Sequence, residues 1–222
     1  MIRKAVIINI GDELLAGRVV NTNASYLGQM LTDQDLEVYN IWMIPDERDQ
    51  IIQGVERGFD HADIVLMTGG LGPTHDDITK EVLAEYFKME LRFHEESYRR
   101  IVELFKPRGI KVTEAHRQQC FMPVGAEIFP NAMGTAPGMW FTKGDKHLIS
   151  LPGVPYELHY LMEHGILEKI KNLSVRGNFE QCMIRTAGVP ESFLAELLDE
   201  EIKNLGPGEK LAFLPSLGEV KI

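Results

Sequence analysis

The sequence predicts an α/β protein: a mostly parallel sheet covered by helices on both faces, followed by a second, small α+β unit. Three observations lead there. Short apolar runs alternate with helical apolar spacing through the first two-thirds of the chain. A glycine-rich strand-to-helix transition, MTGGLGPTHDDITKE from Met67 to Glu81, lies inside that alternation. After Asn172 a different unit begins, so the expected domains are 1–172 and 173–222.

Each element has its own signal. Ala5 to Ile10 reads as a buried strand, and Asn23 to Leu31 as a helix with Ala24, Leu27, Met30 and Leu31 on one face. Val38 to Ile44 is strand-like. Asp46 precedes a helix carrying Ile51, Ile52, Val55 and Phe59. A strand at Ile64 runs into the glycine loop, and a helix follows from Thr79. Helices are expected at Glu95–Phe105 and Thr113–Cys120, separated by Pro107 and Gly109, with Thr113 as N-cap. Met139–Thr142 and His147–Leu151 read as strands joined by a turn at Lys143–Lys146, and a helix runs on to about Ile170. In the second unit, Gln181–Thr186, Leu211–Leu214 and Glu219–Ile222 are strand-like, around a turn at Pro215–Gly218. Pro190–Lys203 is helical with Phe193, Leu194, Leu197 and Leu198 as its apolar face. The chain stops inside a strand pattern, so this unit is expected to be truncated.

Composition narrows the function. The chain has 222 residues and a net charge of −10, which argues against a nucleic-acid partner. Cys120 and Cys182 form no metal or disulfide motif, and no segment approaches the roughly 20 apolar residues of a membrane span. A cytoplasmic protein is expected. The histidines lack metal spacing and read as surface residues, with His75 set apart by its place in the glycine loop.

The glycine loop carries the chemistry. Gly69, Gly70 and Gly72 let backbone N–H groups approach a ligand, and the following helix start favours an anion. Asp76 and Asp77 beside a phosphate site suggest a divalent metal bridging protein and ligand. The same stretch also reads as a tight turn capped by Asp. Gly11, Asp12 and Glu13 are placed on the same sheet rim, with Asn21 and Asn23 close behind. Gly134 in GTAPG, and Ser150, Gly153 and Glu157 around LPGVPYE, would line the same cleft. Asp46 reads either as a helix cap or as a rim carboxylate beside Asp77. No serine or cysteine is placed for covalent catalysis.

IGDELLAGRVVNTNASYL, IPDE, TGGLGPTHDDITKE, PNAMGTAPGM and LPGVPYEL occur in that order between residues 10 and 158. Together they resemble the N-terminal portion of the CinA (competence/damage-inducible protein A) family. Residues 176–222 resemble the start of its KH-type domain; they contain no GXXG clamp, and RNA binding is not expected. The nicotinamide-nucleotide amidase domain usual in that family is missing from these residues. The resemblance implies a three-layer α/β/α fold similar to MogA and MoaB, and a homodimer. It implies ADP-ribose pyrophosphatase activity that depends on a divalent metal, magnesium or cobalt, and is promoted by potassium. Asp46 and Asp77 correspond to the catalytic aspartates of the pterin enzymes. Asp77 with Asp46 or Asp12 would hold the metal, Asp76 or Glu13 would orient water or complete the metal shell, and Lys80 would stabilise the leaving phosphate. Leu71 stands where the pterin enzymes carry threonine, which suits the CinA form. Two other readings stay open: a molybdopterin-binding or adenylyl-transfer module, and a non-catalytic assembly domain for an amidase.

Overall fold

The computed structural model describes residues 4–173 and 182–222. The chain divides into two units, Met1–Gly177 and Asn178–Ile222.

The first unit opens with β1 (Lys4–Ile10), α1 (Asp12–Leu15), α2 (Thr22–Thr32), β2 (Glu37–Ile44), α3 (Arg48–His61), β3 (Ile64–Thr68) and α4 (Thr79–Tyr86). An excursion follows, with β4 (Leu91–Phe93), α5 (Glu95–Phe105), α6 (Glu114–Gln119) and β5 (Phe121–Pro123). The unit closes with β6 (Glu127–Phe129), β7 (Gly138–Lys143), β8 (Lys146–Leu151), α7 (Pro155–Leu161) and α8 (Leu167–Leu173). Six strands form one sheet in the order β2-β1-β3-β8-β7-β6. β2, β1, β3 and β8 run parallel, and β7 is antiparallel to both its neighbours.

Strand alternation divides the core in two. Ala5, Ile7, Ile64, Leu66, Ile149 and Leu151 point to a layer built from Leu27 and Leu31 of α2 and from Leu158, Leu161 and Ile170 of α7 and α8. Val6, Ile8, Val65, Met67, Leu148 and Phe141 face Ile51 and Val55 of α3 and Val82 and Leu83 of α4. The fold is therefore a three-layer α/β/α sandwich, as expected. Both faces of the sheet are covered, which is why its central strands read as unbroken apolar runs.

Local chemistry sets the helix ends. The Asn21 side chain accepts the Ala24 N–H at 3.0 Å and starts α2. Thr113 and His116 form a reciprocal cap on α6, and His94 caps α5, so two of the histidines expected at the surface are capping groups. The short pair β4–β5 and strand β6 were not foreseen; three residues each are too few to show a period. The helix expected to run to Ile170 is interrupted at Met162–Ile166. There Gly165 takes φ +135° beneath the Phe129 ring.

The second unit contains β9 (Arg185–Ala187), α9 (Glu191–Leu197), α10 (Asp199–Lys203), β10 (Leu214–Ser216) and β11 (Glu219–Lys221). Its antiparallel sheet has the order β10-β11-β9. The expected strand at 181–186 begins only at Arg185 among the described residues; residue 181 lies outside them. The second expected strand shifts to Leu214–Ser216 because Gly218, at φ +82°, places a tight turn at Leu217–Gly218. The single expected helix breaks at Leu198. Of its apolar face Leu194 is buried, while Phe193 and Leu197 are exposed, since three short strands cover little area. Among the described residues no helix is long and apolar enough to cross a membrane.

One contact makes a sharp test of sheet–helix packing. Gly58 of α3 lies against β3, and a Cβ there would sit 2.8 Å from a Val65 methyl carbon. Alanine would gain about 1 kcal/mol of helix propensity. Overpacking costs about 1–3 kcal/mol. We expect Gly58→Ala to lower stability in urea unfolding and Val65→Ala in the same chain to recover part of the loss. A stabilised Gly58→Ala would refute this packing.

Candidate active site

The register of four parallel strands builds the site. Asn9 pairs with Thr68 and with Met43, and Thr68 pairs with Leu151, so β1, β2, β3 and β8 end at one level. From β1 the chain places β2 on one side and β3 on the other. That reversal is where ligands bind in open α/β sheets. A cavity of about 470 Å³ lies there, lined by the segments that follow all four strands.

Its floor is backbone packed on backbone. Gly69 takes φ +107° and donates its N–H to the Leu151 carbonyl at 3.1 Å. A Cβ at Gly69 would strike the Ile10 carbonyl oxygen. Gly70, at φ +65°, accepts the Thr79 N–H at 3.1 Å, which pins the loop to the start of α4. No side chain caps α4. The buried Asn23 donates to the Gly153 carbonyl at 2.7 Å and to Thr68 Oγ1 at 3.3 Å. Thr68 in turn donates to the Pro152 carbonyl at 3.1 Å. One polar chain thus ties α2, β3 and the loop after β8.

The carboxylates differ in environment. Asp46 follows β2 and does not cap α3, whose N-cap position is Glu47. It accepts the Asp12 N–H at 3.1 Å. Burial pushes its carboxyl above the usual range against that bond, and the negative charges of Glu13, Asp12 and Asp76 push the same way. Asp76 is held below the usual range, chiefly by the Thr74 hydroxyl, whose one proton it shares with Asp77, and by its own backbone N–H. Asp77 Oδ2 accepts the Thr74 N–H at 3.0 Å and the Thr74 hydroxyl, bracing the loop. Glu157 is buried, and burial raises its carboxyl. No Lys, Arg or His is among the residues lining this cavity.

Most residues singled out from sequence converge. Gly11, Glu13, Asn21, Asn23, Asp46, Gly69, Gly70, Gly72, Asp76, Asp77, Gly153 and Glu157 all line the one cavity. Three do not. Asp12 reaches the site through its backbone bond to Asp46, and its side chain is not in the wall. Gly134 packs behind Glu157, where a Cβ would overlap the carboxyl. Lys80 lines an adjoining cavity of about 250 Å³ with His75 and Gln118. Its ammonium donates to the Gln118 and Gln119 carbonyls at 3.3 Å and lies 3.5 Å from Glu81. Ser150 is buried within β8, outside the cavity wall. Sequence reasoning missed Asn9, although a polar residue inside the run AVIINI was a readable signal. It also passed over Asn131, which bonds Glu157 at 2.6 Å.

The lining offers a cation carboxylate oxygens but, among the described residues, no complete set of ligands. Its charged donors are carboxylate oxygens, and Asp46 has like charges for neighbours. Among the described residues no three His, Cys, Asp or Glu side chains gather as an ion-holding group. Magnesium is commonly held by one or two carboxylates plus substrate phosphates.

Residues 6–172 match the family model described as "Probable molybdopterin binding domain". A CinA-like protein from Flavobacterium psychrophilum is 38% identical over 220 residues, covering 99% of this chain and 53% of that protein. The chain spans about half the length of most of the curated relatives it matches. The crystal structure of the protein CinA from Thermoplasma acidophilum, titled as of unknown function, superposes with a TM-score of 0.68 at 33% identity. It covers 77% of this chain and 98% of that one. MoaB from Pyrococcus furiosus, titled as a tungsten cofactor synthesizing protein, shares the fold at a TM-score of 0.50 and 17% identity, over 78% of this chain and 97% of that one. With a family model matched over most of its length and a CinA structure matched almost end to end, the chain belongs to the CinA family and carries that family's molybdopterin-binding-type domain.

Proposed function

We propose that this chain is a metal-dependent pyrophosphatase that splits ADP-ribose into AMP and ribose 5-phosphate. One observation supports it above the rest: the glycine loop shares a nucleotide-sized cavity with Asp46, Glu13 and Asp76, and no basic side chain lines it. Backbone N–H groups of the loop would receive phosphate oxygens without side-chain clash. Asp46 and Asp76, with Asp77 at their side, would hold a magnesium or cobalt ion. Such an ion screens phosphate charge and lowers the pKa of a bound water. Glu13, whose charge acts on Asp46, would take the proton of the attacking water. Asp77 keeps the loop in shape through Thr74, which holds the phosphate cradle open. Lys80 serves the loop from behind rather than the leaving phosphate. Potassium promotion and a homodimer belong to the same reading.

A second reading has its own support. The family model over residues 6–172 is described by molybdopterin binding, so a pterin-binding or adenylyl-transfer module would use the same cavity. Metal-dependent release of AMP from ADP-ribose by the purified chain separates the two. Absence of turnover together with tight molybdopterin binding would favour the second.

Two substitutions sharpen the site. Asp46→Asn keeps an acceptor for the Asp12 N–H and removes a half-buried charge among like charges. Turnover should drop by about 10²-fold or more. The sign of the stability effect follows from the raised pKa. The folded chain holds this proton more tightly than the unfolded one, so the charge destabilises the fold once pH passes the unfolded value. Asp46→Asn should therefore melt no lower than wild type at pH 7, and any gain should vanish below the ordinary carboxylate range. A lower melting temperature at pH 7 would contradict the assigned environment. Asp77→Asn retains an acceptor for Thr74 but no charge. Lost turnover in a folded Asp77→Asn protein would place the charge in the chemistry. Full turnover, with loss only in Asp77→Ala, would reduce Asp77 to a loop brace.

A further inference from the structure

Glu157 stands apart from the acidic group around Asp46. It lies in the first turn of α7 and is 8% exposed, yet it forms part of the cavity wall. Its Oε2 accepts the Asn131 Nδ2–H at 2.6 Å, and among the described residues the carboxylate has no other hydrogen-bond or ion-pair partner. Asn131 is itself fixed in orientation. Its Oδ1 accepts the N–H groups of Met133 and Gly134 at 2.9 and 3.1 Å, and its Nδ2 also donates to the Ala136 carbonyl at 2.8 Å. Gly134 leaves no space for a side chain behind the carboxyl. The loop 131–136 is thus folded around a support for this one group. Asp46 follows β2 and Glu157 follows β8, and β1 and β3 lie between those two strands in the sheet. The cavity therefore has two separate anionic places.

A buried carboxylate with one neutral partner is expensive to desolvate unless something else donates to it. A phosphate would be repelled by it, and the glycine loop already offers phosphate a place. What remains for Glu157 is a neutral part of the ligand bearing hydrogen-bond donors. We propose that Glu157 is the specificity-determining residue of the pocket, accepting hydrogen bonds from two adjacent donors, the vicinal diol of a ribose. Two carboxylate oxygens match two neighbouring hydroxyls, and an acidic residue on ribose hydroxyls is a recurrent solution in nucleotide-binding folds. The amino and ring N–H edge of a pterin presents the same paired donors, so the test must separate the sources. The assignment rests on the ADP-ribose reading.

The experiment is titration calorimetry on wild type and Glu157→Gln, which is isosteric and keeps an acceptor for Asn131. The probes are AMP against 2′,3′-dideoxy-AMP, ribose 5-phosphate against 2-deoxyribose 5-phosphate, and a 2-amino-4-oxopteridine. ADP-ribose turnover is measured in parallel. Hydrogen bonds to a charged group predict about a 10- to 100-fold loss for the diol-bearing member of one pair. Its deoxy counterpart should change by less than about twofold, well under the factor of 10 that 1.4 kcal/mol represents. Equal losses for both members would overturn the proposal in favour of a structural role. A loss confined to the pteridine would overturn the diol. Unchanged binding with normal ADP-ribose turnover would sink this assignment alone. A diol-selective loss without wild-type turnover would uphold it and sink the pyrophosphatase reading. Failure of wild type to bind any ribose phosphate would overturn both.

Discussion

Everything at the site depends on four parallel strands ending at the same level with their successors in backbone contact. The Gly69 N–H reaches the Leu151 carbonyl, the Gly11 N–H reaches the Ile44 carbonyl at 3.1 Å, and Gly69 lies against the Ile10 carbonyl. A side chain at Gly69 would part β1 from the loop after β3. Only then do the side chains matter: Asn23 can bridge Thr68 and Gly153 because those backbones are already adjacent. The glycines thus perform two tasks at once. Gly11 and Gly69 close the rim of the sheet, and Gly70 and Gly72 leave backbone without side chains where a ligand would lie.

The second constraint is electrostatic. A chain with net charge −10 has placed carboxylates, and no basic group, around its principal cavity. For an anionic ligand this is unfavourable unless backbone dipoles and a cation supply the missing positive charge. Burial first, and then the like charges of Glu13, Asp12 and Asp76, raise the Asp46 carboxyl. Asp76, exposed and held low by Thr74, carries its charge cheaply in water. The site therefore combines one carboxylate raised chiefly by burial with one held low by hydrogen bonds.

How much of this was legible in the sequence depended on length and period. β1 and β3 read as unbroken apolar runs, the helices α3 and α5 carry enough residues for a period to show, and all were expected. So was the level of the rim, because strand ends were marked by Gly11, Asp46 and Gly69. β4, β5 and β6 were invisible at three residues each. The break in the α7 region was hidden because His164-Gly165 sits in an otherwise helical pattern; the Phe129 ring that selects a bent backbone comes from 36 residues earlier. Of the site, the glycine loop and Asp46 were readable as local motifs. Asn131 was not, because its meaning lies in a bond to Glu157, 26 positions away. Lys80 misled because its position beside the loop says nothing of which side its long chain takes.

The side it takes explains the excursion between α4 and β6. The last carbonyls of α6 have no helical partners and carry partial negative charge. Lys80 donates to two of them, at Gln118 and Gln119, from within a largely buried position. Gln119 completes the clasp, its Nε2 donating to the Leu71 carbonyl of the glycine loop at 2.9 Å. Burial lowers the Lys80 pKa, and the nearby Glu81 carboxylate is the main counterweight. One ammonium and one amide therefore fasten the far face of the glycine loop to the α5–α6 excursion, while Asn23 and Thr68 fasten the strand end that feeds it from the cavity side. A loop built of residues that favour no single conformation is held in one conformation from both faces. That rigidity is what a binding surface made of bare backbone would require.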